Sequence, residues 1–537
     1  MRHWLGILFV ALGLQAQEAR IQILGTTDLH GHLVAQDTFT LQPANQGWAK
    51  VATLIRQQRA LNPNTLLVDC GDTLQGEPVN YVRKLLRPDL PEPSIAIMNA
   101  LGYAAMAVGN HDYDFGLEAL RDAERQAHFP FLSANTLGAK GKTAFPAYSV
   151  VMVAGVRVAL VGFTTPRVPA MTEPGNLPGL TFQDLVTAGR TLVPRLREKE
   201  KVDLVIALVH SGLGAVAGRE GDENAALRLA DQVPGLDAIF TGHTHQALQT
   251  EHKGIPILQA LSFGRALAVA DLVLRQEKGR WRVVASTGRL LRPEDATASD
   301  PEVLALTLEL RTAADRYLDT AATNLLVDLD SRWSRMEDTP VLALLHQVQR
   351  QATGAQLSAA ACPGTKLYIP KGPTSVRQFY ALAPYESCVA RIRVTGAQLK
   401  LYLEHAARHY AYSWEPELYQ RDSPFYDFDT VEGVGYALDL GQPAGSRVRN
   451  LSYQGRPVTP EQSFTLALST YRLRGGGGYM AAIGFTGEAE QVSRASQRNL
   501  LLEHVLSRPT LNPVPTGTWR TIPYLDRERV KIGRAHV

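Results

Sequence analysis

Short, mostly apolar β-rich runs recur along the first half of the chain, at positions 21–24, 66–69, 104–108, 156–163, 204–209 and 238–240, and Gly, Thr, Cys or His follows most of them at once. Runs of this length that end in turn residues read as buried strands. Between them, the stretches 50–60, 116–127 and 184–199 have helical composition. Short buried strands alternating with helices predict an α/β architecture. Near residue 299 the texture changes. Asp300 stands before Pro301 as an N-cap before a first-turn proline, and Val303, Leu306, Leu310, Ala314 and Tyr317 then recur at helical spacing. This predicts a linker helix over 298–325 whose apolar stripe packs into a core. A second mixed domain follows over 330–523, with strand-like runs at 389–394, 435–440 and 464–468 and turn clusters at 453–455 and 475–478.

With 537 residues the chain is too long for one core and fits two or three domains. A net charge of +3 gives no electrostatic reason for a polyanion-binding surface, so no DNA partner is expected. The first residues have the layout of a secretory signal: Arg2 and His3, an apolar run over 4–14, and small residues around Ala16. The reading is a signal peptide over 1–16. That run is too short for a membrane span, and no second apolar run of about 18 residues follows. The expectation is an exported soluble protein, periplasmic or secreted, and a monomer. Residues 531–537 (Lys-Ile-Gly-Arg-Ala-His-Val) read as a non-native tail and are set aside. Of the three cysteines, Cys70 falls in an apolar run as a small buried hydrophobe, while Cys362 and Cys388 could pair in an oxidising compartment.

The ends of the predicted strands carry the chemistry. Asp28 and His30 follow the first run, Asp72 the second, Asn110 and His111 the third, His210 the run at 204–209, and His243 and His245 the run at 238–240. Open α/β sheets keep their sites at the carboxyl ends of strands. Taken singly, each of these is an ordinary turn or packing residue. Together, Asp28, His30, Asp72, Asn110, His210, His243 and His245 make seven donors at five strand ends, too many for one ion and suited to two divalent ions sharing a carboxylate. The donor types fit Mn, Zn, Fe or Mg. Two ions about 3.5–4 Å apart stabilise the attacking and leaving oxygens of a phosphoryl displacement and lower the pKa of a bound water. Asp72 is the expected bridge. His111 is the expected general acid toward the leaving oxygen, with Asp114 orienting and charging its ring. Asp112, closer in sequence, is expected to point away.

The order Asp-x-His, Gly-Asp, Gly-Asn-His-Asp, His, Gly-His-x-His resembles that of the calcineurin-like metallophosphoesterases. More closely, 26–30 (Thr-Thr-Asp-Leu-His), 71–76 (Gly-Asp-Thr-Leu-Gln-Gly) and 109–112 (Gly-Asn-His-Asp) resemble the exported bacterial 5'-nucleotidase and 2',3'-cyclic-nucleotide 2'-phosphodiesterase/3'-nucleotidase family, and the resemblance runs from residue 21 to residue 484. It implies a four-layer αββα metallophosphoesterase domain over 20–295, a linker helix, and a mixed α/β C-terminal domain that binds the nucleoside. It also implies base-stacking roles for Tyr385 and Tyr471, which stand where the family has its two aromatics. Aromatic faces hold bases with about 1–3 kcal/mol each.

Two departures favour the cyclic-nucleotide branch. Where 5'-nucleotidases carry a glycine-rich stretch with an arginine for the phosphate, this chain has Ser358-Ala359-Ala360-Ala361-Cys362-Pro363-Gly364, and where they tend to carry an aspartate in the later glycine run it has Gly477. The stretches 425–436 and 450–457, and His245, resemble the cyclic-phosphodiesterase branch. The glycine run at 475–478 lacks the Lys-Ser/Thr of a P-loop. The expectation is a 2',3'-cyclic-nucleotide 2'-phosphodiesterase/3'-nucleotidase acting on 2',3'-cyclic NMP and 3'-NMP. A 5'-nucleotidase or UDP-sugar hydrolase is the alternative, and a thiosulfohydrolase-like role a more distant one. A non-enzymatic nucleoside-binding protein would have no need for His111 together with all seven donors.

Overall fold

A computed structural model of the chain describes residues 17–364, 367–410 and 425–522; the expected signal peptide and tail lie outside these. The main strands of the first half are β1 (Glu18–Thr26), β2 (Thr65–Asp69), β3 (Ala105–Ala107), β4 (Phe131–Leu132), β5 (Tyr148–Val153), β6 (Val156–Thr164), β7 (Leu204–His210), β8 (Ala238–Thr241), β9 (Ala247–His252), β10 (Ile255–Ala260), β11 (Leu267–Glu277) and β12 (Arg280–Leu291). They form two six-stranded sheets, ordered β12-β11-β1-β2-β3-β4 and β9-β10-β8-β7-β6-β5. The sheets pack face to face through Ile21, Ile23, Val68, Leu160, Leu208 and Leu258. Leu24, Leu67 and Met106 face the other way, onto helices α1 (Trp48–Leu61), α2 (Pro78–Leu85), α3 (Pro93–Leu101) and α4 (Leu117–Gln126). On the far side, Val161, Val205 and Ile239 face α5 (Leu185–Glu198) and α6 (Ala226–Gln232). Central strands buried on both faces read as unbroken apolar runs, which is why they were legible in the sequence. The result is the αββα layering expected.

Strands β1 to β4 run parallel, with Thr26 opposite Asp69 and Asp69 opposite Met106. So do β6, β7 and β8, with Thr164 opposite His210 and Val209 opposite Thr241. This register brings the carboxyl ends of both sheets to one edge of the sandwich, where the His243 N–H donates to Asp28 across the two.

The linker prediction needs correction. The helix, α7 (Pro301–Leu318), is capped by the Asp300 side chain, which accepts from the N–H groups of Glu302 and Val303, but it ends at Leu318 and is followed by a strand, Ala321–Leu325. Its buried face is Val303, Thr307, Leu310, Ala314 and Leu318, whereas Leu306 is 44% exposed. Thr307 was missed because it is polar. Its hydroxyl donates to the Val303 carbonyl at 2.8 Å, which lets it sit in an apolar face. The helix packs on α1, α2 and α3, so it completes an outer layer of the first half.

The second half is built on β13 (Leu357–Ala360), β14 (Cys388–Thr395), β15 (Thr430–Glu432), β16 (Gly435–Asp439), β17 (Ser463–Ser469) and β18 (Gln491–Ser496). Five of these form a sheet ordered β15-β13-β17-β14-β18, while β16 belongs to a separate four-stranded sheet. Cys362 and Cys388 are both free, contrary to the pairing considered above. The Cys362 thiol donates to the Gly364 carbonyl at 3.2 Å inside an apolar cluster, while Cys388 opens β14 opposite Ser496, so each sulfur has its own surroundings.

The two halves meet through specific contacts. The Arg498 guanidinium of the second half lies 5.1 Å from the ring of Tyr81, which itself stacks on Tyr317 of α7 at 5.7 Å, and 4.4 Å from the ring of Tyr380. Buried Arg377 donates to the Thr38 carbonyl at 2.7 Å and to Asp315 and Asp319 of the α7 end. Among the described residues no helix is long and apolar enough to cross a membrane.

Candidate metal centre

Six of the seven candidate donors stand in the turns that leave the parallel strands, and His210 is the last residue of β7. Five of them have left-handed backbone: Asp28 (φ 52°), His30 (47°), Asp72 (56°), His243 (76°) and His245 (55°). That region costs a non-glycine residue about 1–2 kcal/mol and persists only where the surroundings over-determine it. Here the turns hold one another. The Asp28 N–H donates to the Gly71 carbonyl and the His30 N–H to that of Asp72, both at 2.9 Å. A Cβ on Gly71 would lie 2.5 Å from the Gly109 nitrogen and one on Gly109 2.2 Å from Asp72 Oδ1, so no larger residue fits between these turns.

Asp112 completes the clamp. Its buried carboxylate accepts the N–H groups of Gly109 (2.8 Å), Asp72 (3.0 Å), Thr73 (2.9 Å) and Leu74 (3.0 Å). It points away from the donors, into the backbone of the neighbouring turn, and ties the turn bearing Asp72 to the turn bearing Asn110.

The donors gather into two groups, Asp28 with His30 and His245, and Asp72 with His210 and His243. The tautomers of two imidazoles follow from their partners, because a carbonyl can only accept. His30 Nδ1 donates to the Gln75 carbonyl and His210 Nδ1 to that of Cys70, both at 2.7 Å, so in its neutral form each ring turns a lone pair at Nε2 into the cavity. His30 Nε2 lies 3.2 Å from His245 Nε2 and 3.8 Å from Asp72 Oδ2. His210 Nε2 lies 3.0 Å from Asn110 Oδ1 and 3.1 Å from Asp72 Oδ2. His245 Nε2 lies 3.4 Å from Asp28 Oδ1. Imidazole lone pairs, an amide carbonyl and two carboxylates thus converge at close range, a set of acceptors that cations reconcile, and the nitrogen and oxygen mix fits divalent transition ions or Mg. Asp72 Oδ2 is the atom within reach of both groups.

Charge follows the same geometry. Burial pushes His30 down to about 3, so its ring is neutral. Burial also opposes the charged form of His210, but Asp72 and Asp28 outweigh it and raise the ring to about 9. The Asp72 carboxyl, which burial alone would raise, is held well below the usual range by His210, His111 and His30.

His111 sits beside the groups without joining them. Its N–H donates to Asp72 Oδ1 at 2.7 Å, and its ring Nδ1 meets Asp114 Oδ2 at 2.7 Å. Burial lowers this imidazole, yet Asp114 and Asp72 carry it up to about 10. The Tyr385 ring, from the second half, lies nearly parallel to it at 6.4 Å and 24°. Tyr385 is 50% exposed. Tyr471 lies against Gly476, with the Arg472 guanidinium 5.4 Å from its ring.

Glu223 had no signal in the sequence, and Tyr426 was marked only by the resemblance of the stretch 425–436, without a role. Glu223 Oε1 meets His243 Nε2 at 2.8 Å, and its backbone carbonyl accepts from the hydroxyls of Thr165 (3.0 Å) and Ser211 (2.7 Å). Tyr426 is exposed, and its hydroxyl feels the charge of Glu223 and the phenol of Tyr385, as Tyr471 feels Glu223 and Tyr426.

Residues 21–247, which hold all seven donors, match the family model for calcineurin-like phosphoesterase, and residues 318–483, which hold both tyrosines, match that for the 5'-nucleotidase C-terminal domain. A solved structure of the calcineurin-like phosphoesterase YfkN from Bacillus subtilis is 31% identical, with a TM-score of 0.53, covering 56% of this chain and 99% of that one. The chain belongs to the calcineurin-like phosphoesterases. The full Bacillus subtilis relative, named trifunctional nucleotide phosphoesterase protein YfkN, is 28% identical over 95% of this phosphoesterase, which spans only 39% of the relative's length. A 2',3'-cyclic-nucleotide 2'-phosphodiesterase/3'-nucleotidase of Haemophilus influenzae is also 28% identical, over 95% of this chain and 89% of its own. The structure of a putative 5'-nucleotidase from Staphylococcus aureus, 22% identical, superposes with a TM-score of 0.82 over 94% of this chain and all of that one, so both halves share its fold.

Proposed function

We propose that this phosphoesterase is an exported two-metal hydrolase that opens 2',3'-cyclic nucleotides and then removes the 3'-phosphate, giving nucleoside and phosphate. The observation that carries the reading is the Tyr385 ring lying over His111, which places an aromatic face of the second half beside the proton-bearing imidazole of the first. The proposed substrate-binding domain spans 330–523 and the catalytic domain 20–295, with the leader over 1–16 supporting a periplasmic or secreted location.

Asp28, His30 and His245 would hold one divalent ion, Asn110, His210 and His243 the other, and Asp72 both. When bound, such ions supply Lewis-acid polarisation of the phosphoryl oxygens and lower the pKa of a water. The chain's own residues do the rest. Tyr385 and Tyr471 stack on the base and turn the ribose edge toward the donors. Asp114 holds the His111 ring charged and fixes Nδ1, so the proton at Nε2 is free for the departing oxygen. In the first step water adds to phosphorus, the P–O2' bond breaks and His111 protonates O2'. In the second, after the ring is reprotonated from solvent, another water adds to phosphorus and gives up a proton to solvent, the P–O3' bond breaks, O3' takes the proton from His111, and phosphate leaves. His243 is fixed by Glu223, a carboxylate–imidazole pair of the kind that orients ligands.

The test is phosphate and nucleoside release from 2',3'-cyclic AMP, 3'-AMP and 5'-AMP by the Mn-loaded protein, with His111→Ala as control. Turnover of the first two that the substitution abolishes supports the reading. Preference for 5'-AMP overturns it in favour of a 5'-nucleotidase, and binding without turnover overturns it in favour of a binding protein.

A further inference from the structure

Five residues of the first half, 172–176, touch both parts of the site at once. On one side the Thr172 hydroxyl donates to the Asn110 carbonyl at 3.2 Å, and Asn176 Nδ2 donates to the Asp114 carbonyl at 2.8 Å. These carbonyls belong to a candidate metal ligand and to the carboxylate that charges His111. On the other side Glu173 reaches into the second half. Its Oε1 accepts from the Thr470 hydroxyl at 2.5 Å, and its Oε2 pairs with the Arg474 guanidinium. Thr470 is fully buried, and its Oγ1 accepts from the Cys388 N–H at 3.0 Å. Thr470 immediately precedes Tyr471, and Cys388 lies three residues after Tyr385. One carboxylate therefore anchors the segments of both tyrosines to the turns that carry the donors.

We infer that Glu173 is a positioning residue that sets where the two tyrosines stand relative to the metal centre, and so which phosphate position of a nucleotide reaches it. This rests on the nucleotide reading above. The contact is suited to the task because it is two-handed: a hydroxyl fixes one oxygen and a guanidinium the other, which fixes the direction of approach as well as the distance. Burial opposes the charge on Glu173, but the Arg474 and Thr470 bonds outweigh it, so its pKa is lowered and the contact keeps its charge at neutral pH. The halves are also joined elsewhere: Arg498, which donates to the Pro384 carbonyl and pairs with Glu386 on either side of Tyr385, lies over the Tyr81 ring, and Arg377 donates to the Thr38 carbonyl.

The test compares Glu173→Ala and Glu173→Gln with the wild type on 2',3'-cyclic AMP and on bis-p-nitrophenyl phosphate, which carries no base. Glu173→Ala should lower kcat/KM for the nucleotide by roughly tenfold or more, while turnover of the aryl diester stays within about twofold. Glu173→Gln, which keeps an acceptor for Thr470 but not the charge for Arg474, should lose less. Equal losses on both substrates would show a general structural role and overturn the inference, as would no loss on the nucleotide. Tyr385→Ala in parallel separates the two levels. If it loses nucleotide turnover and Glu173→Ala does not, only the Glu173 assignment falls; if Tyr385→Ala loses nothing, the nucleotide reading falls with it.

Discussion

The His111 N–H donates to Asp72 Oδ1 at 2.7 Å, so the imidazole and the carboxylate within reach of both donor groups are joined through backbone rather than side chain. Removing the ring leaves that bond in place. His111→Ala should therefore lower kcat by about 10²–10⁴ while metal content, read by elemental analysis, stays at the wild-type level. Loss of metal together with activity would mean that His111 is a ligand.

The Asp112 carboxylate accepts four backbone N–H groups. Asp112→Ala leaves them buried and unpaired, at a cost of about 3 kcal/mol or more in unfolding free energy. Asp112→Asn, which keeps one carbonyl oxygen, should cost less. Denaturant unfolding of the three proteins checks the order, and the alanine variant should also bind metal more weakly, since the turns bearing Asp72 and Asn110 lose their tie.

Metal binding should release protons. Without an ion, His210 is raised to about 9 by Asp72 and Asp28, so at pH 7 it carries a proton that a cation must displace. Apparent affinity should rise as pH goes from 7 toward 9 and flatten beyond. Calorimetric titration in buffers of different ionisation enthalpy gives the proton count directly, and a value of zero at pH 7 would contradict this.

A second pH dependence lies far from the metal centre. His346 is fully buried between Ser358 and Thr430, each at 3.0 Å, and burial lowers it from 6.5 to about 3. The folded state thus binds fewer protons than the unfolded chain between those values. Its contribution is whole above about pH 6.5 and is lost by about 1.4 kcal/mol per unit as pH falls toward 3. Unfolding free energies of the wild type and His346→Asn at pH 7 and 5 should show the smaller pH sensitivity in the variant.

What could be read in the sequence and what could not divide along a physical line. Strands β1, β2, β3, β7 and β8 were legible because both their faces are buried, and the donors because they follow those strands directly. Asp112 was read only as pointing away, since its partners are backbone N–H groups that leave no mark in a side-chain pattern. Glu223 and Glu173 act on residues 20 and 297 positions away, and nothing local announces such partners. Leu306 was misplaced for a related reason: an apolar residue at roughly helical spacing was preferred to its neighbour Thr307, which satisfies its hydroxyl within the helix and takes the buried face.

The left-handed turns bear on how ions would come and go. Because their strain is met when the chain folds, the donors already stand together, and no loop has to close around an arriving cation. Exchange would then be governed by the one donor with an open flank, His245, whose side chain is 38% exposed while Asp28 beside it is sealed. Chelators would strip the ion on that side first, and a partly loaded protein would keep its ion at the buried end, between Asp72, Asn110 and His210.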